Sequence, residues 1–300
     1  MVGAVLRGIT FDKLKYDNFI ELQDKLHNNI CRKRTLVAIG THDLDKLSPP
    51  FRYMAQAPAD LAFAPLNQSK KMNGLELMDF YAADRKLSKF LHIIKDEPLY
   101  PIIYDSTNTV LSLPPIINGD HSKISLNTKN VFIECTATDL VKANVVLNTI
   151  VTMFSQYCAE PFTAHPCKVV YPDGSSYTYP NLAEKTLDID ISYINSAIGI
   201  SESRDSIIKM IDRMSLKASK LDETKLRVSF PATRSDILHA CDVMEDVAIA
   251  YNFNKIAKTL PRSSTIAKQL PINALGDKMR REIAQCRYTE VLAFTLVPIC

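Results

Sequence analysis

A chain of 300 residues with 46% hydrophobic content has the length and apolar surface for one large or two modest domains with buried cores. Its 36 basic and 33 acidic residues leave a net charge of only +3, too balanced to argue nucleic-acid binding from charge alone. The seven cysteines are odd in number and lack Cys-x-x-Cys spacing, which argues against a zinc site or a disulfide framework and suits a cytoplasmic, reducing compartment; no stretch reads as a membrane span or a signal peptide.

In chain order, a strand-like opening at Met1–Arg7 leads to a helix from about Lys13 to Cys31, whose apolar positions are Phe19, Leu22, Leu26 and Ile30. Arg32, Lys33 and Arg34 follow, the only concentrated basic patch. They suit the negative end of the helix dipole as well as they suit an RNA phosphate. Leu36–Ile39 reads as a buried strand, and Pro49-Pro50 and Pro58 mark irregular connections. Helical patterns return at Gly74–Tyr81 and Asp84–Phe90. Ile102–Tyr104 and Thr109–Leu111 flank a hairpin turn at Asp105–Asn108. Val131–Cys135 is a further strand, and Asp139 is placed to cap a long helix through Tyr157. A second hairpin pairs Lys168–Tyr171 with Ser176–Tyr179 around Pro172-Asp173-Gly174. Beyond it come an alternating strand at Leu187–Ile191, a helix with Glu202 and Asp205 in its first turn and Ile207, Ile208 and Ile211 on one face, and a strand at Leu226–Phe230. This mixture predicts an α+β protein, with a mixed helix-and-strand domain over residues 1–180 and a small winged-helix-like domain over residues 181–262.

Three groups of polar residues could carry chemistry. Thr233 to Tyr251 reads as an amphipathic helix with Ile237, Ala240, Cys241, Met244, Val247, Ala248 and Tyr251 on one face. Asp242 and Asp246 stand a turn apart on the other face, with Glu245 beside them and Asp236 in the first turn. Two readings stand: a solvated polar face, or an oxygen-ligand set for a hard cation such as Mg2+. Asp120 and His121 follow Asn118-Gly119 on a loop, either as turn residues or as an acid–base pair. Glu134 and Thr136 alternate onto the same face of their strand, and Ser112 ends another. Neither a glycine-rich phosphate loop nor a nucleophile elbow is present.

Three long segments together resemble one family. Cys31–Asp45 (CRKRTLVAIGTHDLD), Leu111–Ser122 (LSLPPIINGDHS) with Phe132–Asp139 (FIECTATD), and Thr233–Ile256 are similar, in the same order, to the beta subunit of eukaryotic or archaeal phenylalanyl-tRNA synthetase. The resemblance covers about Val2 to Pro298. It implies a subunit of a ligase that charges tRNA(Phe), working in an alpha2–beta2 heterotetramer in which the alpha subunit carries ATP-dependent synthesis. It implies that residues 1–180 resemble the editing domain that hydrolyses Tyr-tRNA(Phe), with Ser112, Glu134 and Thr136 in the editing pocket. Glu134 departs from the archaeal pattern, which carries Asp there. Asp236, Asp242, Glu245 and Asp246 match proposed magnesium ligands at the contact with the alpha subunit. The alternative is a structural, tRNA-docking and alpha-binding fragment without editing. Both ends read as cut, and residues 263–300, with a strand-like Val291–Leu296, read as the start of a truncated catalytic-like domain.

Overall fold

The computed structural model describes residues 1–260, 263, 267–292 and 294. The chain forms two compact units, Met1–Lys255 and Ile256–Cys300. The strands are, in order, β1 (Val2–Leu6), β2 (Val37–Asp43), β3 (Arg52–Gln56), β4 (Ala62–Phe63), β5 (Met72–Asn73), β6 (Tyr100–Tyr104), β7 (Val110–Leu113), β8 (Ile117–Asn118), β9 (Val131–Ala137), β10 (His165–Val170), β11 (Ser176–Tyr179), β12 (Lys185–Asp190), β13 (Lys217–Lys220) and β14 (Lys225–Phe230). The α-helices are α1 (Lys13–Asn28), α2 (Gly74–Ala82), α3 (Ser88–Leu91), α4 (Leu140–Phe154), α5 (Ile191–Ile198), α6 (Arg204–Arg213), α7 (Ala240–Tyr251) and, in the second unit, α8 (Pro271–Gln285). Antiparallel sheets with helices on their faces make this an α+β fold.

A five-stranded sheet in the order β11-β10-β1-β9-β2 forms the first layer. β1 and β2 are buried throughout and β9 at all but its last residue, because both faces of this part of the sheet are covered, whereas β10 is half-buried to exposed. On one face, Ile133 and Cys135 of β9 join Phe19 of α1 and Val146, Ile150 and Phe154 of α4 in the main core. Asp139 caps α4 by accepting from the Lys142 amide, as the sequence predicts, and Asp12 caps α1 by accepting from the Lys15 amide. The other face meets a four-stranded sheet, β3-β6-β7-β8, through Val5, Phe132, Ile103, Leu111 and Leu47. The helices α2 and α3 cover that second sheet from outside, where Leu77, Tyr81, Leu91, Ile102 and Leu113 pack. A separate three-stranded sheet, β12-β14-β13, carries α5, α6 and α7.

The differences from the sequence reading have local causes. β3 was not foreseen because its residues are largely exposed, with no apolar alternation to mark it. α1 stops at Asn28 rather than Cys31, and the backbone then turns with Arg32, Lys33 and Arg34 all at positive φ (46, 54 and 67°). Such left-handed steps cost about 1–2 kcal/mol each for residues with a Cβ. The Arg34 side chain holds the turn: its Nη1 donates to the Pro115 and Ile116 carbonyls at 3.2 and 2.9 Å, and its guanidinium lies 4.4 Å from the centre of the Phe90 ring. In the second unit α8 begins with Pro at its first turn. Ala293, Thr295 and Leu296 of the expected strand at Val291–Leu296 lie outside the described residues, and Val291, Leu292 and Phe294 are not in a strand. No helix among the described residues is long and apolar enough to cross a membrane.

Candidate functional site

Glu134 sits in the middle of β9, paired with Gly3 of β1 on one side and Gly40 of β2 on the other. The glycine at position 40 is required by space: a Cβ there would lie 2.1 Å from Glu134 Oε1. The bare position at Gly40 opens a notch in the sheet, and the Glu134 carboxylate fills it, 2% exposed, between the two sheets, whereas the Phe132 ring lies over Gly3. Ser112 Oγ donates to Glu134 Oε1 at 3.0 Å. That contact depends on a bulge between β6 and β7. Tyr104 pairs with Val110, but Ile103 pairs with Ser112, so Leu111 is the extra residue. Without the bulge Ser112 would pair with Ile102, whose side chain packs in the outer core.

One residue that the sequence reading did not single out completes the group. His42, in the Gly40-Thr41-His42-Asp43 part of a segment already noted for its resemblance, shares the Glu134 face and is fully buried. Its Nδ1 is 2.8 Å from Ser122 Oγ, and its Nε2 is 3.9 Å from Glu134 Oε1, too far for a hydrogen bond. His42 Nε2 and Glu134 Oε2 therefore face the notch as buried polar atoms with no partner. Unpaired buried groups of this kind are costly, by about 1–3 kcal/mol each. Thr136 stands two residues along the same face, 6% exposed. Ser112, Glu134 and Thr136 thus share one region between the sheets, closed to solvent. Beside it lies a cleft of about 640 Å³, lined among others by Tyr16, Gln23, Thr41, Asn67, Asn118 and Lys123. Asn118 links the two places, since it pairs with Ser112 in the sheet and its amide donates to the Thr41 carbonyl at 3.3 Å.

Asp120 and His121 are not brought together as an acid–base pair. Asp120 Oδ1 accepts from the Asn67 amide at 2.8 Å, and His121 Nε2 contacts the Lys46 carbonyl at 2.8 Å. Each ties a different loop, which is the turn role that Asn118-Gly119 allows.

The basic cluster is also divided. Arg32 and Lys33 are exposed, whereas Arg34 is committed to two carbonyls and a ring. The expectation for RNA contact therefore narrows to Arg32 and Lys33. Replacing both with Ala should weaken tRNA binding about equally for all tRNA sequences and flatten the salt dependence of log K by roughly two phosphate contacts. A filter-binding titration across salt concentrations measures this, and an unchanged slope would leave the pair with a helix-end role only.

The acidic segment departs from the sequence reading in two respects. The helix α7 begins at Ala240, so Asp236 precedes it in a turn. The buried residues of α7 are Val243, Asp246, Val247, Ala248 and Ala250, and Cys241 is exposed, so Val247 and Ala248 lie inside as expected but Asp246 lies on the core face instead of the polar one. Asp242 Oδ2 accepts from the Leu238 and His239 amides at 2.8 and 2.7 Å, bonds that hold its carboxyl below the usual carboxylate range. Asp236 is held by Arg234, whose hydrogen bonds are the main reason its carboxyl also titrates low. Glu245 is exposed. Among the described residues no group of three or more His, Cys, Asp or Glu side chains is arranged to hold a metal ion. The four carboxylates, as placed, do not fit a shared magnesium site.

Comparisons with known proteins show the family of the chain. Residues 9–159 match the B3/4 domain family and residues 187–253 the tRNA synthetase B5 domain family. The phenylalanine–tRNA ligase beta subunit of Drosophila melanogaster is 57% identical over 98% of this chain and 50% of its own length. The beta subunit of Arabidopsis thaliana, named as cytoplasmic, is 54% identical over 99% of this chain and 50% of its own length. The chain thus spans about half the length of these curated relatives. The crystal structure of an N-terminal fragment of the phenylalanyl-tRNA synthetase beta subunit from Pyrococcus horikoshii superposes with a TM-score of 0.77 at 34% identity, covering 83% of this chain and 70% of that one. With the three sequence segments, both domain matches and that superposition in accord, the chain belongs to the phenylalanyl-tRNA synthetase beta-subunit family.

Proposed function

We propose that this chain serves tRNA(Phe) charging in the cytoplasm as part of a beta subunit assembled with an alpha subunit, and that its first 180 residues hydrolyse mischarged Tyr-tRNA(Phe). The observation that carries the editing reading is the Glu134 carboxylate: buried, anchored through one oxygen by Ser112, and without a partner on the other. A synthetic pocket built for an apolar ring rejects an added hydroxyl only about a hundredfold. A second site that demands the hydroxyl needs a buried acceptor, because phenylalanine then leaves that acceptor unpaired. Glu134 Oε2 has that character. The neighbouring cleft, at about 640 Å³, is in the usual size range of ligand sites and lies where an aminoacyl end could approach. Ser112 and Thr136 shape the wall, and His42 faces the acceptor.

A second reading has its own support. Ser112, Glu134 and Thr136 are 1, 2 and 6% exposed, so the site is closed as it stands. A chain that only docks tRNA and the alpha subunit would tolerate that closure. Release of tyrosine from Tyr-tRNA(Phe) by the full chain separates the two. Deacylation of Tyr-tRNA(Phe) well above that of Phe-tRNA(Phe) is the expected result, and equal background rates for both would leave the docking role.

A further inference from the structure

We propose that Arg234 is the resident cation of the acidic segment, and that its guanidinium, rather than a divalent ion, balances Asp236 and Asp246. Asp246 lies on the core face of α7, 5% exposed. A carboxylate taken out of water in this way must be paired or it destabilises the fold by several kcal/mol. Within reach is Arg234 Nη2, 2.9 Å from Asp246 Oδ2. The approach is off the hydrogen-bond axis, so the attraction there is chiefly Coulombic. The same guanidinium grips Asp236 with two of its nitrogens: Nε lies 3.0 Å from Oδ1, and Nη2 lies 2.8 Å from Oδ2. A planar fork suits this task, since it can hold one carboxylate bidentately while touching a second. Both partners respond as such a pair should. Asp236 titrates below the usual carboxylate range and Arg234 above its ordinary value, in each case mainly through the bond between them.

The geometry leaves little for a metal. Magnesium asks for near-octahedral oxygen ligands at about 2.0–2.1 Å and keeps several waters. The guanidinium stands between the two carboxylates that would have to supply it. Asp242 is occupied by two backbone amides, and Glu245 is alone at the surface. The clasp also has a structural purpose of its own. Arg234 and Asp236 belong to the irregular segment between β14 and α7, and Asp246 belongs to the second turn of α7. The ion pairs therefore tie that segment onto the helix, beside the cleft where Asn144 and Asn148 of α4 face Arg234. A divalent ion could take these carboxylates only by displacing Arg234.

The test is thermal unfolding of the full chain, followed by far-ultraviolet circular dichroism, with EDTA or with millimolar MgCl2 at constant ionic strength. The wild-type Tm is expected to be the same in both. Arg234→Met is expected to lower Tm by several degrees, and MgCl2 should then raise the Tm of that variant, because the vacated carboxylates become available. Adding Asp246→Asn to Arg234→Met should recover part of the loss by removing the stranded charge; this double variant also guards against failure of the single one to fold. A wild-type Tm that rises with MgCl2 or falls with EDTA would overturn the proposal. So would an Arg234→Met chain that unfolds at the wild-type temperature in EDTA.

Discussion

Glu134→Gln is expected to slow hydrolysis of Tyr-tRNA(Phe) roughly tenfold while leaving Phe-tRNA(Phe) nearly unchanged. A charged acceptor bonds a hydroxyl more strongly than a neutral one by about 1 kcal/mol or somewhat more. The amide also has only one acceptor oxygen. If it keeps the Ser112 bond, it turns an N–H toward the phenol; if it keeps the phenol, it turns an N–H toward Ser112. Glu134→Ala should lose more, because it also leaves the notch over Gly40 empty. Ser112→Ala and Thr136→Val should alter the ratio of the two substrates before they abolish the reaction. Single-turnover deacylation of both charged tRNAs measures all four variants. Equal losses on both substrates would mean that Glu134 serves folding or the reaction itself, not recognition of the hydroxyl. No loss on either would remove it from the site.

The second large effect is on stability against pH, through His27 near the end of α1. This imidazole is 4% exposed, and its Nε2 accepts the Ile39 amide of β2 at 2.9 Å. Protonation would set one donor against another inside the core. Burial first, and the nearby Arg34 charge second, push its pKa down from 6.5 to about 3. The sign follows from linkage. The unfolded chain takes up this proton below about pH 6.5 and the folded chain does not until about pH 3. The contribution of His27 is therefore fully present above pH 6.5 and is lost as pH falls below it. The loss is about 1.4 kcal/mol per pH unit, or roughly 2 kcal/mol by pH 5. His27→Gln can still accept the Ile39 amide but cannot titrate. Urea unfolding at several pH values between 7 and 5 should show a steeper decline for wild type than for the variant. Parallel curves would show that His27 is not held neutral in the folded chain.

Much of this fold can be read locally. Asp139 announces its helix because a carboxylate next to an apolar run satisfies first-turn amides wherever the helix packs. The hairpin around Asp105 is equally local: its carboxylate accepts from the Thr107 and Thr109 amides within the turn. Once Val131–Cys135 is read as a strand, its period of two puts Glu134 and Thr136 on one side. Family membership was legible for a different reason, since three long segments in order leave little room for coincidence.

What the sequence alone determined is therefore the α+β class, most helices and strands, the family, and the candidacy of Ser112, Glu134 and Thr136. Only the tertiary structure decided which polar groups meet. Ser112 reaches Glu134 because a bulge adds one residue to β7, and a shift of one residue in a strand exchanges its faces. His42 comes to face Glu134 from β2, beside Gly40, although the two lie far apart in sequence. Arg34 left the basic patch for the Phe90 ring and two carbonyls. Asp246 turned inward because apolar stripes offset by a single position along α7 are almost equally plausible on a wheel. The choice between them was made by packing against α5 and α6 and by Arg234, which reaches the inward-turned carboxylate from the preceding segment.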